Sequence, residues 1–321
     1  MNNLDVSIII PCHNGARYLP KLAASLRPLL TPQIEVILVD DGGTDESAEL
    51  FQRLLPEAIC LRQSNQGPGA ARNRGAEVAR GEFFQLLDAD DSIESGKLTA
   101  QLAFAKKHAL DVVYSDWRMV LVDQGGETRE PWVQAAATKE VVEALLGGWW
   151  FATAAALVRA TAYRSVRGCD VTLHNTCDDF DLWVRLGIAG FRFGHVPGPF
   201  ANYYRYQCVR SISRQNRRQF LEGEARIILN AMRLLEEKQG ASLARRVAAA
   251  QRLYGVARNF YGWDEARYHD LTREVFGLDP QFRPGGAMGY RLCSRMFGLP
   301  AAEKLAWFKR GLTRGKANSR P

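Results

Sequence analysis

Val36-Ile37-Leu38-Val39-Asp40-Asp41-Gly42-Gly43-Thr44-Asp45 is a short apolar run that ends abruptly on acid. Val36, Ile37 and Val39 are β-branched, and a run with no polar alternation suits a strand buried on both faces. The Asp, Gly and Thr residues that follow are good at turning a chain and opening a helix, with Thr44 or Asp45 as cap. Working outward, the same unit recurs up to about residue 120. Val6–Ile10, Ala58–Leu61, Phe83–Leu87 and Val112–Ser115 read as further strands. Between them Tyr18–Leu30, Ser47–Leu54, Gly69–Ala79 and Lys97–His108 place apolar residues at helical spacing. Strands alternating with helices imply βαβ units, an α/β fold and a mostly parallel sheet flanked by helices. Such sheets bind ligands beyond the carboxyl ends of their strands.

From about 117 to 135 the pattern dissolves, and Gly125-Gly126 with Pro131 suggest a loop. The segment 138–206 returns as helix, strand, helix and strand. After Ser213 the reading is helical: Arg217–Lys238, Leu243–Tyr261, Asp264–Val275 and the tail. The division expected is therefore 1–213, an α/β domain, and 214–321, a helical C-terminal region.

The formal charge of +7 over 321 residues hides a split. Residues 1–201 carry 19 Lys and Arg against 25 Asp and Glu, a net of −6, whereas 202–321 carry 23 against 10, a net of +13. From Ala287 on, eight basic residues and one acid, Glu303, are interleaved with Met288, Tyr290, Leu292, Met296, Phe297, Leu305, Trp307 and Phe308. A basic amphipathic tail suits an anionic membrane surface or another polyanionic partner, while a solvated helical face packed on the domain explains it equally. Nucleic acid is the least favoured partner, because no recognition motif of a DNA or RNA module is present. The first residues lack a basic segment followed by a long apolar one, so no secretory signal is expected. The uncharged stretch Ala144–Val158 is too short to span a bilayer and reads as core. Six scattered cysteines without a CxxC pair fit reduced, packing thiols in a cytoplasmic setting better than disulfides or a zinc site.

Acid clusters at strand ends carry the chemistry. Asp40-Asp41 follows one strand and Asp88-Ala89-Asp90-Asp91 another. A turn needs one carboxylate, and three within four residues repel one another. A divalent cation relieves that repulsion, and oxygen donors select Mn²⁺ or Mg²⁺, with positions left for substrate phosphates. Asn65-Gln66-Gly67-Pro68-Gly69-Ala70-Ala71-Arg72-Asn73-Arg74-Gly75 has Arg72 where a dinucleotide-binding loop needs its third glycine. Its arginines suggest a cation near a phosphate, and an ordinary amphipathic helix is the plainer reading. Asp178-Asp179-Phe180-Asp181 precedes a helical pattern, Leu182–Leu186. The start of a helix accounts for one of these acids, and another is suited to act as general base on a hydroxyl.

Taken in order, Ser7–Asn14, Asp40–Asp45, Asn65–Gly75, Leu87–Asp91 and Asp178–Trp183 resemble the family 2 glycosyltransferases of the GT-A fold, over about residues 5–213. The resemblance implies a GT-A-like sheet and an inverting transfer from a nucleotide-sugar, a UDP-sugar favoured, to a hydroxyl of a glycan or lipid-linked acceptor. It implies nucleotide contacts at Pro11 and His13, which stands where the family has tyrosine, and at Asp41, with Arg72 close by. Asp88 would face the ribose and Asp90 the metal. Asp179 would be the base, with Asp178 in place of the usual glutamate. Tyr204-Arg205 and Ser211-Ile212-Ser213 resemble a later motif whose histidine is missing here. A non-catalytic nucleotide-sugar-binding scaffold and a sugar nucleotidyltransferase are the alternatives. With no membrane-spanning helix, a single transfer by a cytoplasmic protein, docked through 287–321 at the inner face of the membrane, is expected in the making of cell-surface polysaccharide.

Overall fold

The computed structural model describes residues 4–133, 135–173, 177–207 and 216–317, so Cys208 and Ser211-Ile212-Ser213 lie outside the described residues. The chain divides into two compact units, residues 1–145 with 149–220, and residues 146–148 with 221–321.

The first unit is built on one sheet. Strands β1 (Val6–Cys12), β2 (Ile34–Asp41), β3 (Ile59–Gln63) and β4 (Phe83–Leu86) form its parallel part in the order β3-β2-β1-β4. Every residue of β1 is buried, as its unbroken apolar run requires. Helices α1 (Leu19–Leu26), α2 (Ser47–Leu54) and α3 (Pro68–Val78) make the crossovers. Gly75 lets α3 lie on the sheet, because a Cβ there would come within 2.5 Å of the Ile9 side chain. Helix α2 starts at Ser47 rather than on a cap by Thr44 or Asp45, and Asp45 instead receives the Ser47 N–H at 3.1 Å, two residues on.

Beyond β4 the sheet continues through β8 (Ala156–Arg159), β6 (Val112–Asp123), β9 (Phe193–Tyr206) and the two-residue β5 (Ser92–Ile93). β8 is antiparallel to both neighbours, whereas β6 and β9 run parallel. The stretch expected as a loop at 117–135 is instead the greater part of a hairpin, in which β7 (Gly126–Val133) pairs antiparallel with the far half of β6. Its pattern was hidden because β7 is exposed along nearly its whole length, which removes the apolar alternation. Pro131 falls at the register shift opposite Arg118–Val120, where a strand tolerates proline. Helices α4 (Lys97–His108), α5 (Val141–Leu146), α6 (Ala160–Ser165) and α7 (Asp178–Ile188) complete the α/β arrangement. Cys12, Cys60, Cys169, Cys177 and Cys293 are free thiols.

The second unit is helical: most of α8 (Arg217–Glu237), then α9 (Leu243–Ala257), α10 (Glu265–Leu278) and α11 (Met288–Ala317). Ser242 and Asp264 cap α9 and α10 by accepting the N–H three residues on. α11 breaks at Gly298 (φ 80°), just before Pro300. It buries Ala302 and Glu303, and the Glu303 carboxylate meets Arg258 and the hydroxyls of Tyr254 and Tyr290. Meanwhile Met288 (76% exposed), Leu292, Met296, Phe297 (68%), Leu305, Trp307 and Phe308 stay in solvent. No helix among the described residues is long and apolar enough to cross a membrane.

Candidate active site

The carboxyl ends of β1, β2 and β4 lie side by side and carry the first group of expected residues. Pro11 is buried within β1, opposite Val39 of β2. His13 follows on the surface, and its Nδ1–H donates to the Asp41 carbonyl at 2.9 Å. The Asp41 carboxylate is buried and accepts from Gln63 Nε2 (2.8 Å), Gln66 N–H (2.9 Å) and Gly67 N–H (2.7 Å). Asp41 thereby shapes the loop that leads into α3. Its neighbour Asp40 accepts from Gly43 N–H at 2.8 Å and pairs with Arg62 at 2.7 Å.

Arg72, expected near the nucleotide, is paired in the structure with acids of two different motifs. It is buried in α3 and extends one guanidinium nitrogen to Asp88 and the other to Asp178, while its Nε is buried without a partner among the described residues. Burial would depress its basicity, but Asp88 and then Asp178 raise it well above the ordinary value. The motif after β4 and the motif opening α7, 90 residues apart in the chain, are thus tied by one side chain.

The three acids of α7 separate into three roles. Asp178 holds Arg72. Asp181 accepts from Arg185 Nε at 2.7 Å, a bond along the helix. Asp179 accepts from Thr153 Oγ1 at 3.0 Å and from the Phe180 N–H at 2.7 Å. Burial and then repulsion from Asp178 push its carboxyl above the usual range, only partly offset by Arg72. Such an environment makes a better proton acceptor near neutral pH. Thr153 opens the short 3-10 turn Thr153–Ala155, which the sequence did not single out. Buried amides fix that turn from below: Gln85 Nε2 donates to the Ala154 carbonyl at 3.2 Å and Gln101 Nε2 to that of Ala155 at 2.8 Å. Buried Lys97 donates to both side-chain oxygens of these glutamines, and burial lowers its basicity well below the ordinary value.

After β4, burial and then Asp88 raise the Asp90 carboxyl to about 6, and no ion pair is formed by Asp90 among the described residues. Asp91 is buried and accepts the Tyr204 N–H at 3.0 Å, and burial followed by Asp90 raises it well above the ordinary value. Tyr204 is therefore brought to the acid cluster. Arg205 follows on β9, exposed, and none of the described contacts joins it to the cluster. A cavity of about 350 Å³ adjoins this edge, lined by Arg17, Tyr18, Lys21 and Tyr206 among others.

Among the described residues no three His, Cys, Asp or Glu side chains gather into a metal-holding set. Asp90, raised by burial and forming no ion pair among the described residues, is an oxygen donor of the kind that would suit a divalent cation bound together with a diphosphate.

Residues 7–160 match the sequence profile of the family described as Glycosyl transferase family 2. An uncharacterized glycosyltransferase of Haemophilus influenzae is 36% identical over 121 residues, 36% of this chain and 48% of that protein. The poly(ribitol-phosphate) beta-N-acetylglucosaminyltransferase TarS of Staphylococcus aureus is 33% identical over 116 residues, 34% of this chain and 20% of that one. The chain thus spans half or less of the length of these two relatives. The crystal structure of TarS residues 1–349 in complex with UDP-GlcNAc superposes with a TM-score of 0.67 at 17% identity, over 96% of this chain and 92% of that one. At that identity the likeness is one of fold.

Proposed function

We propose, for a chain whose residues 7–160 belong to glycosyl transferase family 2, that it moves a sugar from a nucleoside-diphosphate donor to a hydroxyl of a glycan or lipid-linked acceptor, with inversion. The observation that carries this reading is the Arg72 bridge, which sets the acids after β4 and the raised carboxyl of Asp179 on either side of one guanidinium. A donor held at the first group then has a base beside it. Asp179 takes the proton of the acceptor hydroxyl, and the oxygen forms its bond to the anomeric carbon as the bond to the diphosphate breaks. The electron pair leaves with the diphosphate, and attack from the opposite face inverts the centre. Arg72 and the loop shaped by Asp41 position the donor, and His13 offers a ring at the nucleotide end. Asp90 would hold a divalent cation together with the donor, and that ion would supply neutralisation of the diphosphate charge. Uridine is the favoured base, supported by the likeness in fold to a protein crystallised with UDP-GlcNAc.

The experiment is a donor screen with UDP-, GDP-, dTDP- and CMP-sugars in Mn²⁺, Mg²⁺ or EDTA, following thermal shift and nucleotide release. One donor should stabilise the protein and be turned over. Asp179→Asn should keep the donor-dependent shift while turnover falls by about 10²–10⁴-fold, the usual worth of a general base. Unchanged turnover would remove Asp179 from this role, and donor binding without any release by the wild type would favour the scaffold.

The same proposal docks the second unit on an anionic membrane surface. Glu303, the sole acid from Ala287 onward, is buried against Arg258, while Arg291, Arg295 and Lys304 are exposed beside the exposed apolar residues of α11. The full chain should sediment with anionic vesicles and a 1–286 form should not. Equal, negligible binding of both would overturn the docking.

A further inference from the structure

Two large aromatic side chains next to the turn that carries Thr153, the partner of Asp179, remain without a task in the transfer just described. Trp150 precedes the Thr153–Ala155 turn and is 47% exposed, whereas Trp117 of β6 beneath it is 2% exposed. Their ring centroids are 4.7 Å apart, and Tyr203 of β9 lies 6.1 Å from Trp117 and 6.3 Å from Trp150. The open ring of Trp150 thus lies against a buried ring, with one side left to solvent. The indole N–H of Trp117 is buried with no hydrogen-bond partner among the described residues.

This patch adjoins the chemistry. Thr153, three residues after Trp150, donates to Asp179 at 3.0 Å. Burial, followed by Asp91, Asp88, Asp90 and Asp179, pushes the Tyr203 hydroxyl up to about 12, which sets that hydroxyl within the field of the acid groups. No charged residue occurs from Ala144 to Val158, so the segment bearing Trp150 offers nothing to an anionic or cationic ligand. An apolar ring face with a tyrosine hydroxyl at its edge, on a segment free of charged side chains, matches a neutral sugar ring, with its C–H face and hydroxyl edge.

We propose that Trp150, supported by Trp117 and Tyr203, is the platform on which a pyranose ring of the acceptor stacks and presents its hydroxyl to Asp179. The proposal rests on the glycosyl-transfer reading. It places the acceptor on the Asp179 side of the Arg72 bridge, and it makes ring form, rather than charge, the property by which the acceptor is chosen.

The test is kinetic, with the donor that the wild type turns over and four acceptor probes: the methyl β-pyranosides of glucose, galactose and N-acetylglucosamine, and the acyclic polyol ribitol. The wild type should transfer to at least one pyranoside with kcat/KM at least tenfold above that for ribitol. Trp150→Ala should raise the KM for that pyranoside at least tenfold while the donor KM stays within twofold. Trp150→Phe, which keeps a ring, should recover to within about threefold of wild type. Trp132→Ala is the control, because Trp132 pairs opposite Arg118 and so stands on the other face of the hairpin from Trp117, and it should keep the wild-type acceptor KM. A preference for ribitol, transfer to none of the pyranosides, an unchanged acceptor KM in Trp150→Ala, or a rise in its donor KM instead would each overturn the platform. A wild type that releases no nucleotide from any donor would overturn the transfer reading itself, a result distinct from all of these.

Discussion

Two groups of acids flank β1, one at the end of β2 and one after β4, and they are treated in opposite ways. Asp40 and Asp41 are answered close to home: three backbone N–H groups, Gln63 and Arg62 satisfy them, and the result is a shaped loop. Asp88, Asp90 and Asp91 receive far less. One backbone N–H reaches Asp91, one distant arginine reaches Asp88, and Asp90 is left raised to about 6. A carboxylate saturated by amides has become part of the scaffold, whereas one left short of partners keeps affinity for a ligand that brings positive charge. The same residue type at the ends of the two strands that flank β1 is thus answered by the scaffold in one case and left short of partners in the other.

The sharpest way to break this contrast is to remove the arginine from each side. Arg72→Met leaves Asp88 and buried Asp178 facing each other without their cation, and loss of one partner from a buried pair costs about 3–5 kcal/mol. Arg62→Met should cost far less, because Arg62 is largely exposed and Gly43 still donates to Asp40. Chemical denaturation of both variants measures the difference. Adding Asp178→Asn to Arg72→Met should recover part of the loss. Equal costs for the two single variants would mean that the groups do not differ as described.

How much of this was legible beforehand follows from where each interaction is encoded. Buried parallel strands write their own signature, so Val6–Ile10 and Val36–Val39 could be read directly, and the acids at their ends with them. The β6–β7 hairpin could not, since an exposed strand held by its partner's backbone leaves no periodic trace. The position of Arg72 between two motifs, and the grip of Thr153 on Asp179, are contacts across 106 and 26 residues. No local pattern records such pairings, because any helix could carry the arginine and any turn the threonine. Asp178 illustrates the limit: as a shortened glutamate it looked like a deviation, and in the fold it is the anchor for Arg72.

The smallest expected effect tests the same principle within the reacting group. Asp179 lies between the two extremes, with one hydroxyl and one N–H to answer a carboxylate that burial and Asp178 have raised. Thr153 favours the charged form, because a hydroxyl donates more strongly to a carboxylate than to a carboxylic acid. Thr153→Val keeps the shape and removes that donor, so the Asp179 carboxyl should rise further. The sign follows from the proposed role: as the base, Asp179 must be deprotonated, so activity should be lost as pH falls through its value. The acid limb of kcat/KM should therefore move upward by about 0.5–1 pH unit, with kcat at high pH largely retained. Stability should follow the other direction, since a carboxyl raised in the folded state makes the fold weaker as pH climbs through that value. A pH profile between 5 and 9 that leaves the limb in place, or moves it down, would show that Thr153 does not act on Asp179. In that case the buried amide network under the 153–155 turn serves packing rather than the base.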